Sequence, residues 1–120
     1  MEIVNRSQAE LFITKDGSAI RELLAHRNSS IRNQSLAEAT LPVGSVTKEH
    51  SHAKAEEIYY ILQGRGQMKI EGEEREVGTG DAIVILPGKK HKMSNSGKMP
   101  LVFLCCCSPP YEHDDTTLTE

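Results

Sequence analysis

From residue 44 to residue 107 the chain alternates short apolar or in–out runs with turn residues, at intervals of roughly eight to twelve residues. The runs are Val46–His52, Glu57–Leu62, Gln67–Glu71, Glu74–Val77, Ala82–Leu86, Lys89–Asn95 and Leu101–Cys107. Between them lie Gln63–Gly66 and Glu71–Glu74, both read as hairpin turns, then Gly78–Asp81, Pro87–Gly88 and Ser96–Lys98. No stretch carries a helical period for long. The rhythm predicts an all-β sandwich or barrel, and 120 residues suffice for one domain with a single core.

Upstream, Glu2–Asn5, Leu11–Thr14 and Gln34–Leu41 read as further strands, with Asp16–Gly17 as a turn. Leu36, with Ala39 or Leu41, is expected to be buried. The Ile20, Leu23, Leu24 spacing fits one or two helical turns, or a strand. Glu74–Val77 is charged, as suits an edge strand. Ala82–Leu86 is apolar throughout and predicts a buried strand. Glu57–Leu62 is apolar on both faces, which predicts burial on both sides. One side would be the barrel interior and the other the surface of a second copy, so a homodimer is expected.

Within residues 44–64, His50 and His52 are separated by one residue. On a strand they point to one face. The turn Ala53–Glu56 can bring Glu57, at the head of the next strand, opposite them. His91 follows another apolar run. Three imidazoles and a carboxylate suit one borderline divalent transition metal: manganese, iron, nickel or zinc. The ligands must be neutral histidines and an ionised glutamate, so binding is expected to weaken below about pH 6. Glu56 should face away from the site.

These positions resemble the two motifs of the cupins. Gly44, His50, His52, Glu57 and Gly64 meet every spacing of the first motif. Gly80, Leu86, Gly88, His91 and Asn95 follow the second, with Leu86 standing where the family usually has proline and Pro87 next to it. The resemblance implies a cupin-type double-stranded β-helix, a jelly-roll barrel, spanning 1–120, with the motifs at 44–64 and 80–95 and a tail at 108–120. It implies metal ligands at His50, His52, Glu57 and His91, and favours a strand over a helix near Ile20. Small stand-alone cupins resemble mannose-6-phosphate isomerase-like proteins, oxalate decarboxylases, dioxygenases and polyketide-pathway helpers.

Composition narrows the partners. Net charge is −3, from 14 basic and 17 acidic residues that are well mixed, and there is no tryptophan or basic patch. Nothing points to nucleic acid, and no apolar run approaches a membrane span. The N-terminus lacks the pattern of a signal peptide. Cys105–Cys107 are consecutive with no distant partner, so free thiols and a cytoplasmic location are expected. The three cysteines read as small core fillers; the sharper reading turns Cys105 and Cys107 together onto the metal cavity as oxidisable thiols.

Acid–base candidates are sparse. Lys48 shares the parity of His50 and His52, although an exposed lysine at a strand start is the plainer reading. Tyr59 shares the face of Glu57. His113 lies in a tail, SPPYEHDDTTLTE, that reads as solvated; alternatively Tyr111 and His113 fold back over the barrel mouth as a lid. His26 reads as surface, and Asn95 as a turn closer. The function expected is a metal-dependent isomerase or decarboxylase acting on a small polar or anionic metabolite, such as a sugar phosphate or carboxylate. The alternatives are a non-catalytic small-molecule binding module, a metal-dependent dioxygenase or polyketide-pathway helper, and a barrel that metal merely staples.

Overall fold

The computed structural model describes residues 1–120. Eleven strands run in chain order: β1 Leu11–Ile13, β2 Ala19–Leu24, β3 Ser35–Leu41, β4 His50–His52, β5 Glu56–Gln63, β6 Arg65–Ile70, β7 Glu73–Gly78, β8 Ala82–Ile85, β9 His91–Asn95, β10 Leu101–Ser108 and β11 Thr116–Leu118. They form two antiparallel sheets, ordered β1-β2-β3-β10-β5-β8 and β11-β4-β9-β6-β7. The fold is the all-β double-stranded β-helix of a jelly roll.

The period-2 pattern sets the core. On β10, Leu101, Phe103, Cys105 and Cys107 turn inward, while Val102, Leu104 and Cys106 turn out. Phe103, Ile61, Leu101, Leu41, Ile85 and Met93 are fully buried and fill one end of the barrel. Loss of the Phe103 ring would cost about 3–5 kcal/mol. Opposite Phe103 and Cys105 stand Ala39 and Ala37 of β3. Small side chains on facing strands cannot fill the interior there, and a cavity remains.

Several expectations change. Glu2–Asn5 is not a strand; it leads into a single 3-10 turn, Arg6–Gln8, capped by Asn5 and Gln8. The region near Ile20 is strand β2. Leu36 is only half-buried, because Ala37, Ala39 and Leu41 take the inner face of β3. Gln63–Gly66 is no hairpin, since β5 and β6 belong to different sheets. Gly64 makes that crossing with φ +93, and a Cβ there would sit 3.0 Å from the Pro100 carbonyl. Glu71–Gly72, both at positive φ, do close a hairpin between Ile70 and Glu73.

Of Ala82–Leu86 only Ile85 is buried. β8 is an edge strand, and Val84 is 66% exposed. The outward face of β5 is open too, with Ile58 48% exposed beside Tyr60 and Leu62. The charged β7 is the other sheet's edge, as expected. No helix is long and apolar enough to cross a membrane.

Candidate metal centre

β4 and β9 pair with His50 opposite His91, which joins the two motifs. His52 lies on the same face of β4. One ring nitrogen from each histidine lies within 4.8 Å of the others, and all three rings are buried. Their other nitrogens fix the tautomers. His50 Nδ1 is 2.8 Å from the Lys48 carbonyl, and His91 Nδ1 is 2.9 Å from the Lys89 carbonyl. A carbonyl only accepts, so the ring must donate. His52 Nδ1 lies 3.1 Å from Thr116 Oγ1, whose own hydroxyl donates to the Glu112 carbonyl at 2.9 Å. The threonine oxygen therefore accepts from His52. Three protons sit outside the centre, and three Nε2 lone pairs face into it.

Glu57, first inward residue of β5, closes the centre from the opposite sheet. Its Oε1 lies 3.4 Å from Nε2 of both His52 and His91. Its Oε2 accepts from the Cys107 thiol at 3.1 Å. Oε1 and His91 Nε2 are fully buried and have no hydrogen-bond partner. Neutral rings cannot donate through Nε2, so a buried carboxylate oxygen faces two lone pairs. Such an arrangement is costly unless positive charge lies between them. Burial alone would raise the Glu57 carboxyl; the His52 and His91 rings outweigh it and bring it down to about 2. That holds only with a second proton on the rings or a cation in their midst. Burial holds His50 below the ordinary imidazole range, and the charge of His91 adds to the effect. The donor set fits a divalent transition ion.

Asp16 is the group that sequence reasoning missed. It lies in the β1–β2 turn and is only 7% exposed. Its Oδ1 accepts from the Thr14 hydroxyl, the Ser18 amide and the Ser18 hydroxyl. Its Oδ2 points at His50 Nε2, 3.5 Å away. The only available signal was TKDGS, an aspartate flanked by hydroxyls two residues to each side; it announces a turn but not where the turn lands. The Lys48 amide donates to the Asp16 carbonyl at 2.7 Å and ties that turn to the head of β4.

The structure separates the other candidates. Tyr59 lines the cavity, its ring 6.0 Å from His91 and 4.7 Å from Phe103. Lys48 is exposed and lines no part of the cavity. The parity expectation fails because the strand begins only at His50, and Thr47 is the buried residue before it. His113 is exposed at the outer rim, 5.4 Å from the Tyr111 ring and 6.4 Å from Phe12. Glu56 is exposed, as expected.

Nor is the tail solvated along its length. Tyr111 folds onto the mouth with its ring 5.8 Å from His52, and burial pushes its hydroxyl up to about 12. Asp115 Oδ accepts from the Lys54 amide at 3.0 Å and the Ala55 amide at 3.1 Å, which holds the turn between His52 and Glu57. Lys15 Nζ anchors the tail by donating to the carbonyls of His113 and Thr116 at 2.8 and 3.1 Å. Cys105 and Cys107 do face the cavity. Burial, then the charge of Glu57, push both thiols up, so the reactive thiolate is disfavoured and the oxidisable reading loses support.

A cavity with an open mouth lies over the centre, walled by side chains of both sheets and by Tyr111 of the tail. The family profile of the cupin domain matches residues 37–107. A protein of Methanocaldococcus jannaschii is 54% identical over 109 residues, 91% of this chain and 87% of that protein. A glucose-6-phosphate isomerase of Thermococcus litoralis is 34% identical over 82 residues, 62% of this chain and 43% of the isomerase. The crystal structure of a predicted oxalate decarboxylase from Thermotoga maritima superposes with a TM-score of 0.78 at 27% identity, covering 90% of this chain and 99% of that one.

Proposed function

The chain belongs to the cupin family, and from that premise we propose that it is a metal-dependent enzyme acting on a small oxygen-bearing metabolite. His50, His52, His91 and Glu57 hold one divalent ion, manganese, iron, nickel or zinc. The observation that carries this reading is the pair of buried, unpartnered atoms, Glu57 Oε1 and His91 Nε2, at the focus of three outward-protonated histidines. The ion supplies Lewis acidity toward a substrate oxygen.

Catalysis of the isomerase or decarboxylase type needs an acid or base beside that oxygen. Asp16 Oδ2 stands where a proton can be taken and returned, held rigid through Oδ1. Tyr59 bounds the substrate from the β5 side. Lys48 and His113 take no part. Asp16 favours an enzyme over the rival non-catalytic binding module, which needs only ligands and apolar walls. The open cavity argues against a metal staple, which predicts an interior filled by side chains.

The enzyme is cytoplasmic, its thiols free, and works as a homodimer with β5 and β8 packed through Ile58, Tyr60 and Val84. The exposure of those side chains supports this; light scattering on the eluting protein tests it, and a monomer at micromolar concentration contradicts it. For the metal reading, elemental analysis is the test. Near-stoichiometric metal, lost in His91→Ala, supports it; no metal after reconstitution with each of the four ions overturns it.

A further inference from the structure

Charge and wall chemistry in the cavity narrow the ligand, given the metal reading above. No lysine or arginine lines the cavity. The two charges of a divalent ion are matched by the carboxylates of Glu57 and Asp16. Glu22, also on the wall, is neutralised by Arg27, which grips it through Nε at 2.8 Å and a terminal nitrogen at 2.6 Å. The same guanidinium also reaches the Glu112 carboxylate and the Tyr111 carbonyl, so it is not free for a ligand. A phosphate or dicarboxylate dianion would therefore enter a balanced, largely buried site with no side-chain cation to meet it.

The wall also carries the hydroxyls of Thr14, Ser18, Ser35 and Thr116, each hydrogen-bonded within the protein, and beyond them it is apolar and ring-rich. Phe12, Ile20, Ala37 and Phe103 face the space that Tyr59 and Tyr111 bound. Against these surfaces stands one polar demand. Asp16 Oδ2 faces the centre without a proton donor, while all three donors of its own turn are spent on Oδ1. A hydroxyl on the ligand satisfies it.

We propose that the cavity takes an uncharged ring compound of the phenol or enol class, with one oxygen toward the metal and a neighbouring hydroxyl donating to Asp16, and that it discriminates against phosphorylated substrates. On this account the phosphorylated sugars expected from sequence are disfavoured. Asp16 is a specificity determinant in this account: its charge repels anions, and its Oδ2 reads the hydroxyl.

The test uses cobalt(II)-loaded protein titrated with catechol, phenyl phosphate and glucose 6-phosphate, followed by calorimetry and by the visible absorption of the cobalt. Catechol and phenyl phosphate share the ring; they differ in charge and in the vicinal hydroxyl, the two properties that Asp16 is proposed to read. Catechol should bind at least about tenfold more tightly than either phosphate. In Asp16→Asn the preference should shrink by about tenfold, through weaker catechol and tighter phenyl phosphate, the two proteins being compared at matched cobalt occupancy. Cobalt uptake by the variant doubles as the check that it folds, and the wild-type comparison stands without it. Equal or tighter binding of a phosphate to the wild type overturns the proposal and leaves the metal reading intact. So does a preference that Asp16→Asn does not move. Failure to take up cobalt at all overturns both, and the silent cobalt spectrum tells that outcome from the others.

Discussion

The two ends of the chain and its middle meet at the same three histidines by different means. In β4, β5 and β9, each group that faces the centre is set by spacing along a strand or across one turn: His50, His52 and Glu57 within eight residues, His91 by one ladder partner. In the 14–18 turn and the 111–118 tail, the useful groups arrive over long separations. Thr116 reaches His52 across 64 residues, and Asp115 reaches Ala55 across 60. The middle supplies the lone pairs and aims two of them, through the Lys48 and Lys89 carbonyls; the tail aims the third, at His52. The ligand set is thus a local property of sequence, whereas its completion by Thr116 and Asp16 depends on the whole barrel.

His52 is shared by both regions, so it offers the sharpest contrast. His52→Ala removes a lone pair and should abolish stoichiometric metal binding. Thr116→Val only strips the acceptor from Nδ1, leaving the ring free to turn or change tautomer. Metal affinity should then fall by about 10–100-fold, measured by competition with a chromophoric chelator. Equal losses in the two variants would erase the distinction between ligand and aim.

Acid provides the next test. Protons compete with the metal for Nε2, and burial already holds His50 below its ordinary value. Metal should therefore stay bound down to about pH 6 and leave below it. Glu57 remains ionised down to about 2, so loss between about pH 6 and 4 belongs to the histidines. Metal retained through dialysis at stepped pH reads the window, and release confined to pH below 4 would assign it to the carboxylate instead.

Cys107 adds a smaller effect within the middle region. Cys107→Ala removes the donor to Glu57 Oε2. The loss should be about 1 kcal/mol, or several-fold in metal affinity, with Cys107→Ser restoring it. Smallest of all, Ile58→Lys on the open face of β5 should leave metal content unchanged and alter monomer stability by no more than about 0.5 kcal/mol; light scattering should show the proposed dimer replaced by monomer.

The sequence was most legible where chemistry and period coincide. Motif spacing located the histidines and Glu57, alternation located β6, and apolar runs located β5 and β10. It failed where register or a distant contact decides. The inward reading of Lys48 extended strand parity two residues beyond the start of β4, whereas the plainer reading, an exposed lysine, holds. Gln63–Gly66 has the composition of a hairpin, yet Gly64 passes the chain between sheets. Asp16 was read only as a turn residue, because nothing local says that the turn closes over His50. The tail's prolines and acids suggested solvent until Lys15 and the amides of Lys54 and Ala55 supplied partners.

The most direct test of the central claim is the metal content of the purified protein, beside His91→Ala, at pH 7.5 or above. About one equivalent of a single transition metal in the wild type and none in the variant is the predicted result. An empty wild type after reconstitution with manganese, iron, nickel and zinc, or an equal content in the variant, would contradict it.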